Sequence, residues 1–112
     1  MSLPHAAPGD LIDVRPLGSA LREANTRAFF KSDRVEVIRV VLLAGETNTE
    51  HHAPGEITFQ CMEGSVNFTA LGKASILRAG HMLYLTSNEL HTIEAIEDSC
   101  LLLTIQIGHE AR

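Results

Sequence analysis

The stretch EHHAPGEITFQCMEG, residues 50–64, joins a pair of histidines to an apolar strand. His51 and His52 come first and a Pro-Gly pair follows them. The segment ITFQCM then combines β-branched, aromatic and other apolar residues in a pattern typical of a strand, and Gly64 lies in the turn after it. Paired histidines beside a carboxylate are a common metal-binding arrangement. The stretch therefore predicts a β fold with a candidate site where the strand begins.

Similar β-rich runs fill most of the chain after Thr26, separated by turn residues. The longest are VEVIRVVLL, residues 35–43, and CLLLTIQI, residues 100–107. About seven or eight strands at this spacing indicate an all-β sandwich or barrel, which we place at residues 26–112. Residues 1–25 are predicted to form an amino-terminal arm, in which GSALREA makes a short helix capped by Ser19.

Composition limits the classes of function. The chain has 112 residues, of which 45% are hydrophobic, as expected of one domain with its own core. Nine Lys and Arg against 14 Asp and Glu give a net charge of −5, so neither nucleic acid nor a membrane is an expected partner. Cys61 and Cys100 lie in apolar runs without metal-binding or redox spacing, and the amino terminus resembles no export signal, so we expect a cytoplasmic protein with reduced thiols.

Several strands are apolar on both faces, notably residues 35–43 and 100–107. One face of such a strand lines the interior, and the other needs a second cover, such as an opposing sheet or a partner subunit. Two-fold pairs are the commonest assemblies of soluble proteins. We therefore expect a homodimer.

Two motifs in the chain resemble those of the cupin superfamily. Gly45, His51 and Gly64 match the first cupin motif, G-x5-H-x-H-x3or4-E-x6-G, and Gly80 and His91 match the second, G-x5-P-x-G-x2-H-x3-N. The resemblance implies a double-stranded β-helix, a jelly-roll barrel whose mouth holds a ligand or a metal ion. The metal positions are incomplete, because Ala53 replaces the second histidine of the first motif and Ile57 or Thr58 replaces its glutamate. In the second motif, Thr86, Asn88 and Ala95 replace the proline, the second glycine and the asparagine.

Strand alternation assigns faces to the residues around the first motif. If His51 faces the interior, His52 faces away from it, because successive side chains of a strand point to opposite sides. The residues on the parity of His51 would give the pocket an apolar wall. We therefore predict a small-molecule ligand anchored by His51 and His91 at the mouth. The other predicted ligand-binding residues are Ile57, Phe59, Cys61, Gln60 and Tyr84.

Two other functions fit the same residues. A turn at the Pro-Gly pair could bring Glu56 to the mouth, where His51, His91 and Glu56 would form a two-histidine, one-carboxylate site for iron, manganese, zinc or nickel. The protein would then be a metal-dependent oxygenase or isomerase. Alternatively, the barrel is a non-catalytic sensor or a structural dimer module. No catalytic residue is assigned, because the chain has no Gly-x-Ser-x-Gly motif and Cys61 has no basic neighbour in sequence.

Overall fold

Within the part of the chain that the structure describes, the fold consists of nine β-strands and one short 3₁₀ helix. The computed structural model describes residues 5–50, 55–86 and 89–107. The helix spans Gly18–Glu23, and the strands are β1 (Arg27–Lys31), β2 (Val35–Leu42), β3 (Thr47–Glu50), β4 (Ile57–Glu63), β5 (Ser65–Ala70), β6 (Lys73–Arg78), β7 (Met82–Leu85), β8 (His91–Ala95) and β9 (Ser99–Gln106).

The strands form two antiparallel sheets. One sheet has five strands in the order β1-β2-β9-β4-β7, and the other has four in the order β3-β8-β5-β6. The chain crosses between the sheets several times, so strands that are distant in sequence become neighbours, as they do in a jelly roll. The all-β fold predicted from the sequence is confirmed.

The core lies between the two sheets and follows strand alternation. In β4, Ile57, Phe59 and Cys61 point inward and are at most 3% exposed, while the residues between them face outward. Inward residues of β2, β9 and β7 complete one wall, and inward residues of β5, β6 and β8 form the other. The buried members of these two groups are Val40, Leu42, Leu101, Leu103, Leu85, Val66, Phe68, Leu77, Ile93 and Ala95.

The amino-terminal arm packs against the barrel through specific contacts. The Ala6 N–H donates to the Phe29 carbonyl at 2.8 Å at one end of the arm. At the other end, the Leu17 and Gly18 N–H groups donate to the Glu63 carboxylate at 2.7 and 2.9 Å. Glu63 therefore satisfies the first N–H groups of the 3₁₀ helix. The predicted Ser19 cap is wrong, because Ser19 is the second residue of the helix, and the N-cap residue Leu17 forms no side-chain capping bond.

Part of the second apolar face lies beneath this arm. Cys100 alternates with the core residue Leu101 and so faces outward from β9, yet it is only 2% exposed. It pairs with Glu63, the residue that binds the 3₁₀ helix, and Leu21 of that helix is itself buried. The arm thus supplies some of the cover for which the sequence suggested a partner. Within the described ranges, no helix has the length and apolar character needed to cross a membrane.

Candidate functional site

His91 is the most unusual residue of the barrel interior. It begins β8, whose residues His91, Ile93 and Ala95 share the inward face, and it is only 2% exposed. Its imidazole lies 4.9 Å from the Phe59 ring in an edge-on arrangement and 5.5 Å from the Phe68 ring in a nearly parallel stack. The three rings form one cluster, in which the polar imidazole packs against one aromatic side chain from each sheet.

The hydrogen bonds of His91 indicate which of its nitrogens carries the proton. Nδ1 lies 3.2 Å from the Glu89 carbonyl oxygen, which can only accept, so Nδ1 is the donor. In the neutral ring, Nε2 then presents a lone pair and no hydrogen. This atom is buried and has no hydrogen-bond partner among the described residues. The site therefore contains an acceptor with an unmet hydrogen-bonding capacity.

A cavity of about 430 Å³ adjoins this histidine at the ends of β5 and β8. His91 itself contributes to the lining, and Leu71 and Leu90 are large apolar residues of the lining that remain 72% and 56% exposed. The other lining residues are Thr69, Ala70, Gly72, Glu89 and Thr92. The cavity therefore combines an apolar rim with a few polar groups, as small-molecule sites do.

The paired histidines of the first motif follow β3 directly. Glu50, the last residue of β3, pairs with His91 in the four-stranded sheet. His51 and His52 are the next two residues of the chain and lie outside the described residues. The opposite orientations predicted for them, and the joint contact of His51 and His91 with one ligand, stay predictions.

The apolar residues of the predicted site lie inside the barrel. Phe59 contacts His91, while Ile57 and Cys61 are buried at neighbouring inward positions of β4. Burial raises the pKa of the Cys61 thiol to about 11, and its Sγ lies 3.4 Å from the Glu63 carbonyl oxygen. A thiol with so high a pKa is not a nucleophile at neutral pH. Cys61 therefore belongs to the apolar wall.

The polar residues of the predicted site lie on the opposite face of β4 and β7. Tyr84 is 55% exposed, and its hydroxyl donates to the Glu56 carboxylate at 3.0 Å, which raises the pKa of the tyrosine. Gln60 stands between Phe59 and Cys61 and pairs with Met82, so alternation turns it outward. The structure thus does not bring Gln60, Tyr84 or Glu56 together with His91.

The described residues alone do not make a metal site. No three His, Cys, Asp or Glu side chains within them lie close enough to hold an ion. His91 is a suitable single ligand, because a metal-binding histidine usually donates its other N–H to a carbonyl or carboxylate. Glu56, the predicted carboxylate ligand, instead accepts from Tyr84 on the outer surface.

Phe68 was not among the predicted site residues. It stacks on His91 and is completely buried, with its ring 4.7 Å from that of Phe59. Its position in the run SVNFTA, where Val66 and Phe68 alternate with polar residues, predicts an inward orientation. The pairing of β5 with β8, which places it beside His91, joins segments far apart in sequence.

Known structures share this architecture across most of the chain. A cupin superfamily protein from Desulfitobacterium hafniense superimposes with a TM-score of 0.74 at 23% identity, covering 91% of this chain and 99% of that one. An RmlC-like cupin family protein from Methanocaldococcus jannaschii gives a TM-score of 0.72 at 15% identity, covering 88% and 94%. At these identities, the likeness concerns the fold.

Another structure with a lower TM-score also shares the fold. KdgF from Halomonas has a TM-score of 0.69 at 14% identity, covering 76% of this chain and 79% of its own. No family model matches the sequence. No curated protein matches it either. The two antiparallel sheets and these structural neighbours together establish that the chain has the cupin fold, a double-stranded β-helix.

Proposed function

We propose that this protein binds a small organic molecule at the mouth of the barrel, with His91 Nε2 as the acceptor that orients it. The observation that carries the proposal is the buried Nε2 atom, which has no hydrogen-bond partner among the described residues. Burial of an unsatisfied polar atom costs roughly 1–3 kcal/mol, so such atoms are rare and often belong to functional sites. A ligand that donates a hydrogen bond to Nε2 would recover this free energy.

The surroundings of His91 define the chemistry of the ligand. Phe59 and Phe68 flank the imidazole, and Leu71 and Leu90 border the adjacent cavity, so most of the contact surface is apolar. A hydroxyl or N–H group on an otherwise apolar molecule would match both the lone pair of Nε2 and these walls. We place His51 at the same mouth as the second polar anchor, since β3 pairs with β8 and leads directly to it.

A metal-dependent enzyme is the second candidate function. The same Nε2 atom could bind a divalent ion, and its Nδ1–carbonyl hydrogen bond supports that role. A fold neighbour is salicylate 1,2-dioxygenase from Pseudoaminobacter salicylatoxidans, with a TM-score of 0.61 and 22% identity. This chain covers only 21% of that protein, and the one histidine that the described residues bring to the site is too few ligands for an ion. We therefore rank this candidate below the binding protein and infer no catalytic step from it.

The experiment compares His91→Phe with the unaltered protein. Both proteins are purified without chelator or added metal, and their bound molecules and metals are identified by native mass spectrometry and metal analysis. Thermal denaturation is then measured with each member of a library of small aromatic and aliphatic alcohols, phenols and amides. We expect an organic ligand or a library member to raise the melting temperature of the unaltered protein and not that of His91→Phe. His81→Gln is the control, because His81 is exposed and its Nδ1 accepts from the Arg78 N–H, away from the barrel mouth.

Three results would contradict the binding proposal. A ligand that stabilises His91→Phe as strongly as the unaltered protein would exclude His91 as its anchor. Stoichiometric iron, manganese, zinc or nickel that is lost in His91→Phe would favour the enzyme. A barrel that contains neither organic molecule nor metal, and that no library member stabilises, would favour the sensor or structural module.

A further inference from the structure

A second cleft, separate from the barrel mouth, lies beneath the amino-terminal arm. It has a volume of about 730 Å³ and lies between residues 5–17 of the arm and the outer surface of β1 and β2. Its lining includes three arginines and one aromatic ring, namely Arg15, Arg27, Arg39 and Phe29, together with Asp10 and Asp13. The barrel-mouth proposal uses none of these residues.

Arg27 and Arg39 stand directly opposite each other on neighbouring strands. Their guanidinium groups lie 5.1 and 5.0 Å from the centre of the same Phe29 ring, so both cations are directed to one place. Phe29 stands two residues after Arg27 in β1, so strand alternation directs it to the same face, and it is only 3% exposed. Two like charges directly opposite each other destabilise a sheet, and cation–π contacts offset only part of that cost.

Among the described residues, no carboxylate forms an ion pair with this arginine pair, although, besides the hydrogen bonds from Arg15, the charge of Arg39 helps to lower the pKa of Asp13. Asp13 accepts two side-chain hydrogen bonds from Arg15, at 2.9 and 2.7 Å, and Asp10 accepts from the Ala7 N–H. Arg39 donates to the main-chain oxygen of Asp13 at 3.1 Å, and that oxygen carries no net charge. Among the residues that the structure describes, neither Arg27 nor Arg39 forms an ion pair.

We propose that Arg27 and Arg39 form a binding site for a small oxyanion, either a carboxylate or a phosphate group. A guanidinium presents several N–H donors in a rigid plane that matches the oxygen atoms of such anions. Two guanidiniums converging on a buried ring can hold the oxyanion from both sides, and the cleft leaves room for the remainder of the molecule. The net charge of −5 makes the rest of the surface unattractive to anions, so the arginine pair is a distinct site rather than part of a general basic surface.

Nuclear magnetic resonance titration of the arginine Nε–H signals tests this site without altering the protein. Inorganic phosphate and malonate serve as separate probes for the two oxyanion chemistries, and sodium chloride at matched ionic strength corrects for screening. We expect one or both probes to shift the Arg27 and Arg39 signals in a saturable manner. Arg78, an exposed residue of β6 in the other sheet, should not respond.

Substitution of Arg27 then measures how much this residue contributes to oxyanion binding. Isothermal titration with the responding probe should show an affinity loss of about tenfold or more in Arg27→Gln, since a charge-assisted contact is removed. Arg27→Lys should lose less, and Arg78→Gln, which makes the same change in net charge, should bind as the unaltered protein does. If Arg27→Gln does not fold, the titration of the unaltered protein decides. Absence of saturable shifts with both probes, or equal weakening by Arg27→Gln and Arg78→Gln, would overturn the proposal.

Discussion

Two inward residues illustrate how differently a polar group can be buried. His91 is held with one nitrogen bonded and the other without a partner in the described part of the chain. The Cys61 thiol instead lies within hydrogen-bond distance of the Glu63 and Gly64 carbonyls, and burial keeps it protonated. The first residue is suited to binding, whereas the second contributes to packing.

The thiol of Cys61 should make the protein sensitive to alkali. Its pKa is about 11 in the folded state and 9.0 when unperturbed. Between these values the unfolded chain loses a proton that the folded chain retains, so the free energy of unfolding falls as the pH rises. Cys61→Ala removes this contribution. We therefore expect the free energy of unfolding, measured by urea denaturation, to fall less in Cys61→Ala than in the unaltered protein between about pH 7 and about pH 10.

Cys61→Ala should also lower the free energy of unfolding by an amount that does not depend on pH. Removal of the buried sulfur should lower the free energy of unfolding at neutral pH by on the order of 1 kcal/mol. Tyr84 is present in both proteins and cancels in the comparison. Burial and the charge of Cys100 both raise the pKa of Cys61, so Cys100 cancels only in part. Parallel pH profiles for the two proteins would show that Cys61 has no part in the alkaline loss.

Among the elements, the 3₁₀ helix depends most on a residue outside itself. Six residues are too few for a stable isolated helix, and no side-chain cap from its own N-cap residue is formed. The Glu63 carboxylate and the 2.7 Å ion pair between Arg22 and Asp98 connect it to the barrel. Its stability therefore comes from tertiary contacts.

Glu63→Ala should release this helix while leaving the barrel folded. The substitution removes the acceptor of two N–H groups, so the free energy of unfolding should fall by about 1–3 kcal/mol. Hydrogen exchange measured by mass spectrometry should accelerate in residues 17–24. Glu94→Ala, at an exposed position of β8, is the matched control. Unchanged exchange in Glu63→Ala would mean that other contacts hold the helix.

The elements differ in how well their sequences predict them. Alternation in ITFQCM and SVNFTA is sufficient to place Phe59 and Phe68 inside, and the two glycine-histidine motifs indicate the jelly roll. The contact between Glu63 and the helix joins residues 45 or more positions apart and has no local signal. Glu56 is similar, because its partner Tyr84 is defined by the pairing of β4 with β7.

At the scale of the whole molecule, the outer face of the five-stranded sheet is covered unevenly. Cys100 and Phe29 are buried near the arm, whereas Met82 and Tyr84 on β7 are 60% and 55% exposed. Thr58 and Gln60 of β4 pair with Tyr84 and Met82. The exposed surface therefore extends from β7 onto β4. An exposed apolar surface of this kind is a common feature of subunit interfaces.

We expect a homodimer that buries the β7 end of this sheet. Met82→Glu would place a charge in the interface, so it should convert the dimer to a monomer in light scattering at micromolar concentration. Ile76→Glu, which changes an exposed apolar residue of the other sheet, should remain dimeric. An unaltered protein that is monomeric at that concentration would contradict the expectation, and dissociation by Ile76→Glu alone would move the interface to the four-stranded sheet.

The position of β9 has a consequence for how the chain acquires its fold during synthesis. Among the described strands, β9 is synthesised after the other four strands of its sheet, yet it lies at the centre of that sheet, between β2 and β4. Leu42 of β2 pairs with Ser99 of β9 although about half of the chain separates them. Until β9 emerges, the inner edges of β2 and β4 have no strand between them, and non-local pairing of this kind forms slowly. Nascent chains that stop before Ser99 should therefore depend on chaperones that shield open strand edges.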